Sequence, residues 1–295
     1  MKHYTSITII FNPHSTGNSE ELAKETQKEL KSALKNQVVK TIATKHAGHA
    51  EELAYKISHA SKRPLIISSS GDGGYNEVIN GAMRAKKEGA SPVTGLLPAG
   101  NANDHFHSLH VEGFVESVVH NRVLFIDVLS IHAKSKGKDL RRYAHSYIGL
   151  GLTPHVGRKL NNTDLNHFKE IFIAVKSFLE FRHVKLVVKD NHRPFRSMLF
   201  SNIDRMAKVL TLTKESQVDD GKFEVSLLQH RSKLHFALSL LKATLPGLYS
   251  TSQTNEYHFR TIKSALVQLD GEVIRLDADT EATIMIDHRI LECII

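Results

Sequence analysis

The chain has 295 residues, 41% of them apolar and 24% charged, with 39 Lys and Arg against 31 Asp and Glu for a formal net charge of +8. This composition is globular, and the length suits two domains or one large one. The single cysteine, Cys293, excludes an internal disulfide and a cysteine-based zinc knuckle.

Nothing near Met1 reads as a signal peptide, and apolar runs such as residues 171–175 are far shorter than the roughly 20 residues that cross a bilayer. The expectation is a cytoplasmic protein whose membrane contact is peripheral. The basic balance predicts an anionic partner: a nucleotide, an acidic membrane surface or a nucleic acid. Tryptophan is absent and no zinc-finger or RNA-recognition signature occurs, which sets nucleic acid aside.

In chain order, Ile7, Ile9 and Phe11 alternate as in a strand that ends at Asn12-Pro13. Asn18 followed by Glu21 resembles a capping box opening a helix through Leu22, Leu30 and Leu34. Residues 38–44 suit a second strand, 51–60 a second helix, 64–69 a third strand, 76–86 a third helix and 94–98 a fourth strand. This βα repetition predicts a doubly wound parallel sheet with helices on both faces, in which ligands bind beyond the carboxyl ends of the strands. Four loops fall at those ends: NPHSTGN (12–18), TKHAGHA (44–50), SGDGGYNEV (70–78) and PAGNANDHF (98–106). Each carries a glycine.

The second half changes character. Residues 123–132, 144–152, 183–189, 194–203, 206–213 and 223–229 read as strands with few helices between them, which predicts an antiparallel, β-rich domain. Two helices interrupt it, one within 156–182 and one around 234–244. The boundary is placed near residue 130, giving domains of 1–130 and 131–295, and the strands at 282–286 and 290–295 are free to return to either. The basic run Lys134, Lys136, Lys138, Arg141 and Arg142 reads as a loop, either simply solvated or facing an anionic membrane.

The most informative stretch is SGDGGYNEVING, residues 70–81. Glycines flank an acid on a strand-to-helix turn, where the main chain can approach an anion closely and the helix N-terminus offers partial positive charge and unpaired donors. That is a nucleotide-site hypothesis.

Taken together, NPHSTGN, SGDGGYNEVINGAM, GLLPAGNANDHF, VDDGKFEV (218–225) and VQLDGEVI (267–274) resemble, in order, the diacylglycerol kinase catalytic family, the bacterial soluble lipid kinases related to sphingosine and ceramide kinases. The resemblance implies an N-terminal α/β domain similar to those of NAD kinases and phosphofructokinases and a β-rich C-terminal domain with the nucleotide in the cleft between them. It also implies ATP- and Mg2+-dependent transfer of the γ-phosphoryl group to a lipid hydroxyl, diacylglycerol first among the acceptors, at an anionic membrane surface. A homodimer is compatible with it.

By the same resemblance Ser70, Gly71, Asp72, Gly73, Gly74, Tyr75 and Asn76, with Glu77, surround the ATP phosphates. Asp72 approaches the magnesium or the nucleotide, and Asn12, Thr44, Gly100, Asn101, Asn103 and Asp104 complete the nucleotide site. Asp270 of LDGE takes the proton of the lipid hydroxyl, with Glu272 helping to orient the site. A structural magnesium is held by the Asp220 carboxylate and main-chain carbonyls near Gln217 and Lys222, oxygen ligands that suit a hard cation.

Plainer readings stand beside these. Asp72 suits a turn residue bonding its own backbone, Asp270-Gly271 a hairpin turn, Asp219 and Asp220 turn acids, and Asn103-Asp104 a helix cap. The chain also departs from the family's pattern: its phosphate motif usually reads GGDGT, where this chain has Ser70 for the first glycine and Gly74 for the threonine, and Asn101 stands where threonine is common. Two other functions remain open, an NAD kinase in which Asp72 is the base and a catalytically silent nucleotide or lipid sensor.

Overall fold

A computed structural model of the chain describes residues 3–15, 17–109, 111–135, 137–151, 184–188, 191–206, 210–211, 216–229 and 251–295. The helices expected within 156–182 and around 234–244 lie outside the described residues, as does Lys136. The chain divides into two compact units, Met1–Val128 with His288–Ile295, and Leu129–Asp287.

The first unit alternates β1 (Ser6–Phe11), α1 (Ser19–Ala33), β2 (Val39–Ala43), α2 (His49–Ala60), β3 (Pro64–Ser70), α3 (Asp72–Lys87) and β4 (Val93–Pro98). Two short helices follow, α4 (Asp104–Ser108) and α5 (Phe114–Val119). Its strands run in the order β2-β1-β3-β4 and are all parallel. Residues 292 and 293 near the chain's end pair in parallel with Val93 and Thr94.

The alternation read from the sequence sorts the buried residues. Ile7, Ile9, Leu65, Ile67 and Val93 pack with Ala23 and Leu30 of α1 and Val118 of α5 on one face. Ile10 and Ile66, equally buried, face the other side, where α2 and α3 lie against β3. Each such side chain is worth about 1.5–3 kcal/mol relative to exposure. The expected capping box at Asn18 takes another form: the Asn18 amide donates to the Glu21 carboxylate at 3.0 Å and caps no main-chain N–H.

The second unit begins within β5 (Val123–Ser135), followed by β6 (Lys138–Ala144), β7 (Tyr147–Gly151), β8 (Val184–Val188), β9 (Asn191–Ser201), β10 (Arg205–Met206), β11 (Leu210–Thr211) and β12 (Phe223–Gln229). Then come β13 (Thr251–Thr254), β14 (Glu256–Thr261), β15 (Ala265–Leu269), β16 (Glu272–Leu276) and β17 (Glu281–Ile294), whose last residues belong to the first unit. Antiparallel pairing within the second unit runs in the order β16-β15-β7-β9-β8-β14-β17, with β12 joining β9 to β13 and β5 paired with β6. Its core gathers Leu129, Ile131, Ile148, Phe200, Phe223, Val267 and Ile284. The α/β plus antiparallel β fold class is therefore borne out.

One segment differs from its reading. The basic run expected to be a loop is the β5–β6 hairpin, turning at Gly137 with φ +77°. Ile131, Ala133 and Leu140 reach the core between the charged residues, so the charge concealed a period-two pattern.

The α2–α3 contact depends on Gly81. A Cβ there would lie 2.2 Å from the Glu51 carbonyl oxygen and 2.9 Å from the Ala54 Cβ. Helix propensity favours alanine over glycine by about 1 kcal/mol, so the two effects oppose each other. Because the obstacle is backbone, Gly81→Ala is expected to destabilise by about 1–3 kcal/mol in urea unfolding; an unchanged or raised midpoint would show that the helices part at no cost.

Candidate functional site

At the carboxyl ends of β1, β3 and β4, register sets Phe11 opposite Ser69 and Ser70 opposite Pro98. The loops that leave these ends therefore start side by side. Gly71 and Gly100 meet backbone to backbone: a Cβ on Gly100 would lie 2.2 Å from the Gly71 Cα. The Ala99 carbonyl accepts from the Ser15 hydroxyl and from the Gly17 N–H, the latter at 3.1 Å. A Cβ on Gly17 would sit 2.8 Å from that same oxygen.

Asn12 closes its own turn, its side-chain oxygen accepting the His14 N–H at 3.0 Å. Its N–H reaches the Ser19 hydroxyl at 3.1 Å, while Ser19 and Ser69 exchange hydroxyl-to-carbonyl bonds. Thr44 follows β2 and donates its N–H to the Phe11 carbonyl at 2.9 Å.

Helix α3 begins at Asp72, so Asp72, Gly73 and Gly74 form its first turn and Gly71 its N-cap. First-turn N–H groups have no acceptor within their own helix, and the dipole adds partial positive charge. The Asp72 carboxylate accepts from the Asp104 N–H at 3.3 Å and the His105 N–H at 3.4 Å, capping α4. Asn103, with φ +53°, leaves that cap to Asp72 and uses its amide on Gly100, accepting the N–H and donating to the carbonyl, both at 2.9 Å.

Three expected site residues point elsewhere. Tyr75 is fully buried, its hydroxyl 3.1 Å from the Thr94 hydroxyl and 3.3 Å from the Cys293 sulfur; burial pushes that thiol up to about 11. Asn76 is buried and accepts from the Asn80 amide at 3.0 Å. Glu77 caps α2, accepting the Gly48 N–H at 2.8 Å and the Ala50 N–H at 3.1 Å. Asn101 is exposed.

In the second unit, Asp270 and Gly271 form the two-residue turn between β15 and β16, and Asp270 sits at φ +48°, as an Asp-Gly hairpin turn requires. Its side chain is 0% exposed. The carboxylate accepts the N–H groups of His145, Ser146 and Tyr147 at 2.8, 3.1 and 2.9 Å, and the His145 Nε2 lies 3.2 Å away. Glu272, by contrast, is partly exposed and paired with Arg142 at 2.6 Å.

Asp220 accepts the Lys222 N–H at 2.9 Å in a turn where Gly221 has φ +76°; Gln217 and Lys222 are exposed. Nearby Glu224 is buried against Ser216 and Gln253, and burial first, with Asp220's charge a lesser cause, holds its acid above the usual range.

The sequence reading did not single out Ser15, Gly17, Ser19, Ala99, His145 or Ser146, and it placed Arg142 in the basic run and not beside Glu272. Gly17 carried a signal, a glycine in a rim loop. The 145–147 amides carried none, because backbone donors are independent of residue type.

The first unit thus presents a glycine-lined rim on a parallel α/β sheet beside a helix N-terminus, an arrangement with main-chain donors of the kind that suit an anion. Residues 6–131 match the model of the diacylglycerol kinase catalytic domain. The chain is 25% identical to a diacylglycerol kinase of Staphylococcus haemolyticus over 236 residues, 75% of this chain and 66% of that protein, just short of two thirds of its length. It is 46% identical to sphingoid long-chain bases kinase 1 of Arabidopsis thaliana over 72 residues, 24% of this chain and 9% of that protein. A crystal structure of a diacylglycerol kinase from Bacillus anthracis superposes with a TM-score of 0.69 at 14% identity, covering 100% of this chain and 98% of that one. A second structure from that organism reaches 0.73 at 15%, with the same coverage. The resemblance to the diacylglycerol kinase catalytic family read from the motifs is thus borne out, the match to its domain model spanning residues 6–131.

The Glu77 cap makes a prediction. Glu77→Ala removes the acceptor of two N–H groups at the start of α2 and is expected to cost about 1–2 kcal/mol in urea unfolding. Glu77→Gln, which keeps one carbonyl oxygen, should cost less. Equal midpoints for Ala and wild type would show the cap to be idle.

Proposed function

We propose that this chain is an ATP- and Mg2+-dependent lipid kinase that transfers the γ-phosphoryl group to a lipid hydroxyl, diacylglycerol being the first acceptor to test. The observation that carries the reading is the glycine-to-glycine closure of the 71 and 100 loops beside the first turn of α3, within the segment that matches the kinase domain. Glycines at 71, 73 and 74 put no side chain of their own on that backbone, so first-turn main-chain donors can approach phosphate oxygens closely.

In this reading the 70–76 turn holds the ATP phosphates and Asp270 is the base. The lipid oxygen bonds to the γ-phosphorus as the bond to the bridging oxygen breaks; the hydroxyl proton passes to Asp270 and ADP leaves. Two features support Asp270. Its carboxylate is fixed by three amides, and its burial shields it from water, which disfavours transfer to water over transfer to a lipid hydroxyl.

The donor set at VDDGKF is all oxygen, the Asp220 carboxylate with main-chain carbonyls near Gln217 and Lys222, a ligand chemistry that suits a magnesium ion. Magnesium bound with the nucleotide would neutralise phosphate charge, Asp72 being the carboxylate nearest that role.

Membrane attraction rests on Lys134 and Lys138, which are exposed on the hairpin, since Arg141 pairs with Asp287 and Arg142 with Glu272. Vesicle binding should rise with anionic lipid and fall with salt. Binding indifferent to both would remove the membrane from the reading.

The decisive experiment incubates the protein with labelled ATP, magnesium, a panel of membrane lipids and NAD. Labelled lipid is expected. Labelled NAD would establish the NAD kinase reading, and no labelled product with ATP still bound would establish a sensor. Asp270→Asn should abolish lipid phosphorylation with ATP affinity retained. Because its amide places a donor among three N–H groups, the melting temperature must be measured alongside; full turnover in that variant would remove Asp270 as the base.

A further inference from the structure

We propose that Ser70 is the hydroxyl-bearing residue of the phosphate turn, and that Gly74 is glycine because Ser70 already occupies its side-chain space. The proposal rests on the reading that this turn holds the phosphates of ATP. Ser70 ends β3 and is 3% exposed. A Cβ built on Gly74 would lie 2.5 Å from the Ser70 Oγ and 2.7 Å from the Ser70 Cβ. Rotating the serine moves its hydroxyl but not its Cβ, so no rotamer admits both side chains.

Positions 70 and 74 therefore act as one. A side chain can reach the first turn of α3 from the strand side, with glycine at 74, or from the helix side, with glycine at 70. The departures noted in the sequence, serine for glycine at 70 and glycine for threonine at 74, are in this light a single exchange that supplies the hydroxyl from the strand side in place of the helix side.

The chemistry of the group suits the task. The Ser70 hydroxyl donates to the Gly71 carbonyl at 3.0 Å and lies 2.8 Å from the Ser68 hydroxyl. A serine hydroxyl has one donor and two acceptor sites. When phosphate arrives, the donor turns from a neutral carbonyl to a charged oxygen, the stronger of the two bonds, and the Ser68 hydroxyl continues to hold Ser70 in place.

The test uses the full chain and two readouts, Mg-ATP affinity by calorimetry and melting temperature. Ser70→Ala keeps the Cβ and removes the hydroxyl. It should weaken ATP about tenfold, the size of one hydrogen bond to a charged group, raise the KM for ATP more than it lowers kcat, and leave the melting temperature within a degree or two. Gly74→Thr alone should lower the melting temperature by about 4 °C or more, although helix propensity by itself predicts a rise. The double change S70G/G74T should recover both the melting temperature and ATP affinity, because the hydroxyl returns from the other side.

Unchanged ATP affinity in Ser70→Ala overturns the hydroxyl's role, and a Gly74→Thr chain that melts like wild type overturns the exclusion. A wild-type chain that binds no ATP overturns the nucleotide reading itself, and shows this in the unsubstituted protein before any variant is compared.

Discussion

The rim of the first unit depends on backbone touching backbone. Register brings Ser70 opposite Pro98, and the next residue but one after each strand end on the β4 side, Gly100, must then pass within contact of Gly71. Side chains can rotate away from a clash; main chain cannot, so any Cβ here would push two strands' loops apart. The closure has consequences along the chain. It holds Gly100 where the Asn103 amide grips both its polar groups, and that grip sets the start of α4 beneath the Asp72 carboxylate. It also leaves the Ala99 carbonyl facing Ser15 and Gly17, which ties in the loop after β1.

Carboxylates fasten this molecule more than they decorate it. Asp72, Glu77 and Asp270 each accept from backbone N–H groups distant in sequence, and Asp127 accepts the Arg289 N–H and lies 2.8 Å from the His288 Nδ1. Bonds from N–H groups to ionised acceptors are roughly twice as strong as neutral ones. An amide replacing any of these acids would turn a donor toward a donor. Conservation of shape is thus not conservation of interaction, and functional and structural effects at these positions must be separated by measuring stability with activity.

Much of the architecture was legible because periodicity is a backbone property. The βα alternation of the first unit and the strand-rich second unit follow from where Ile7, Ile9, Leu65, Ile67 and Val267 recur, and the Asp-Gly turn at 270 from the demand of a two-residue hairpin for positive φ. Most of β5 was legible, but the turn end of the β5–β6 hairpin and β6 were hidden because lysines and arginines fill the outward positions around Ala133 and Leu140. Side-chain direction was not legible. Tyr75 and Glu77 adjoin the glycine turn in sequence, but helical geometry rotates successive residues by about 100°, so Tyr75 enters the core toward Thr94 and Glu77 reaches α2. The amides that hold Asp270 left no trace at all, since any residue type supplies an N–H.

The two acids of the LDGE segment illustrate why position in sequence ranks candidates poorly and environment ranks them better. Asp270 and Glu272 are two residues apart, the first in the hairpin turn and the second at the start of β16, and one is enclosed by amides while the other shares solvent with an arginine. A carboxylate open to water accepts protons from water; one closed to it can serve only a group that is brought to it. On the proposed reading this divides the labour, with Asp270 reserved for the delivered hydroxyl and Glu272 held by Arg142 as the neighbouring charge. The same enclosure imposes a condition on the substrate. Its hydroxyl must arrive already stripped of water, which a hydroxyl carried at the edge of a lipid's apolar body satisfies more readily than one on a fully solvated sugar.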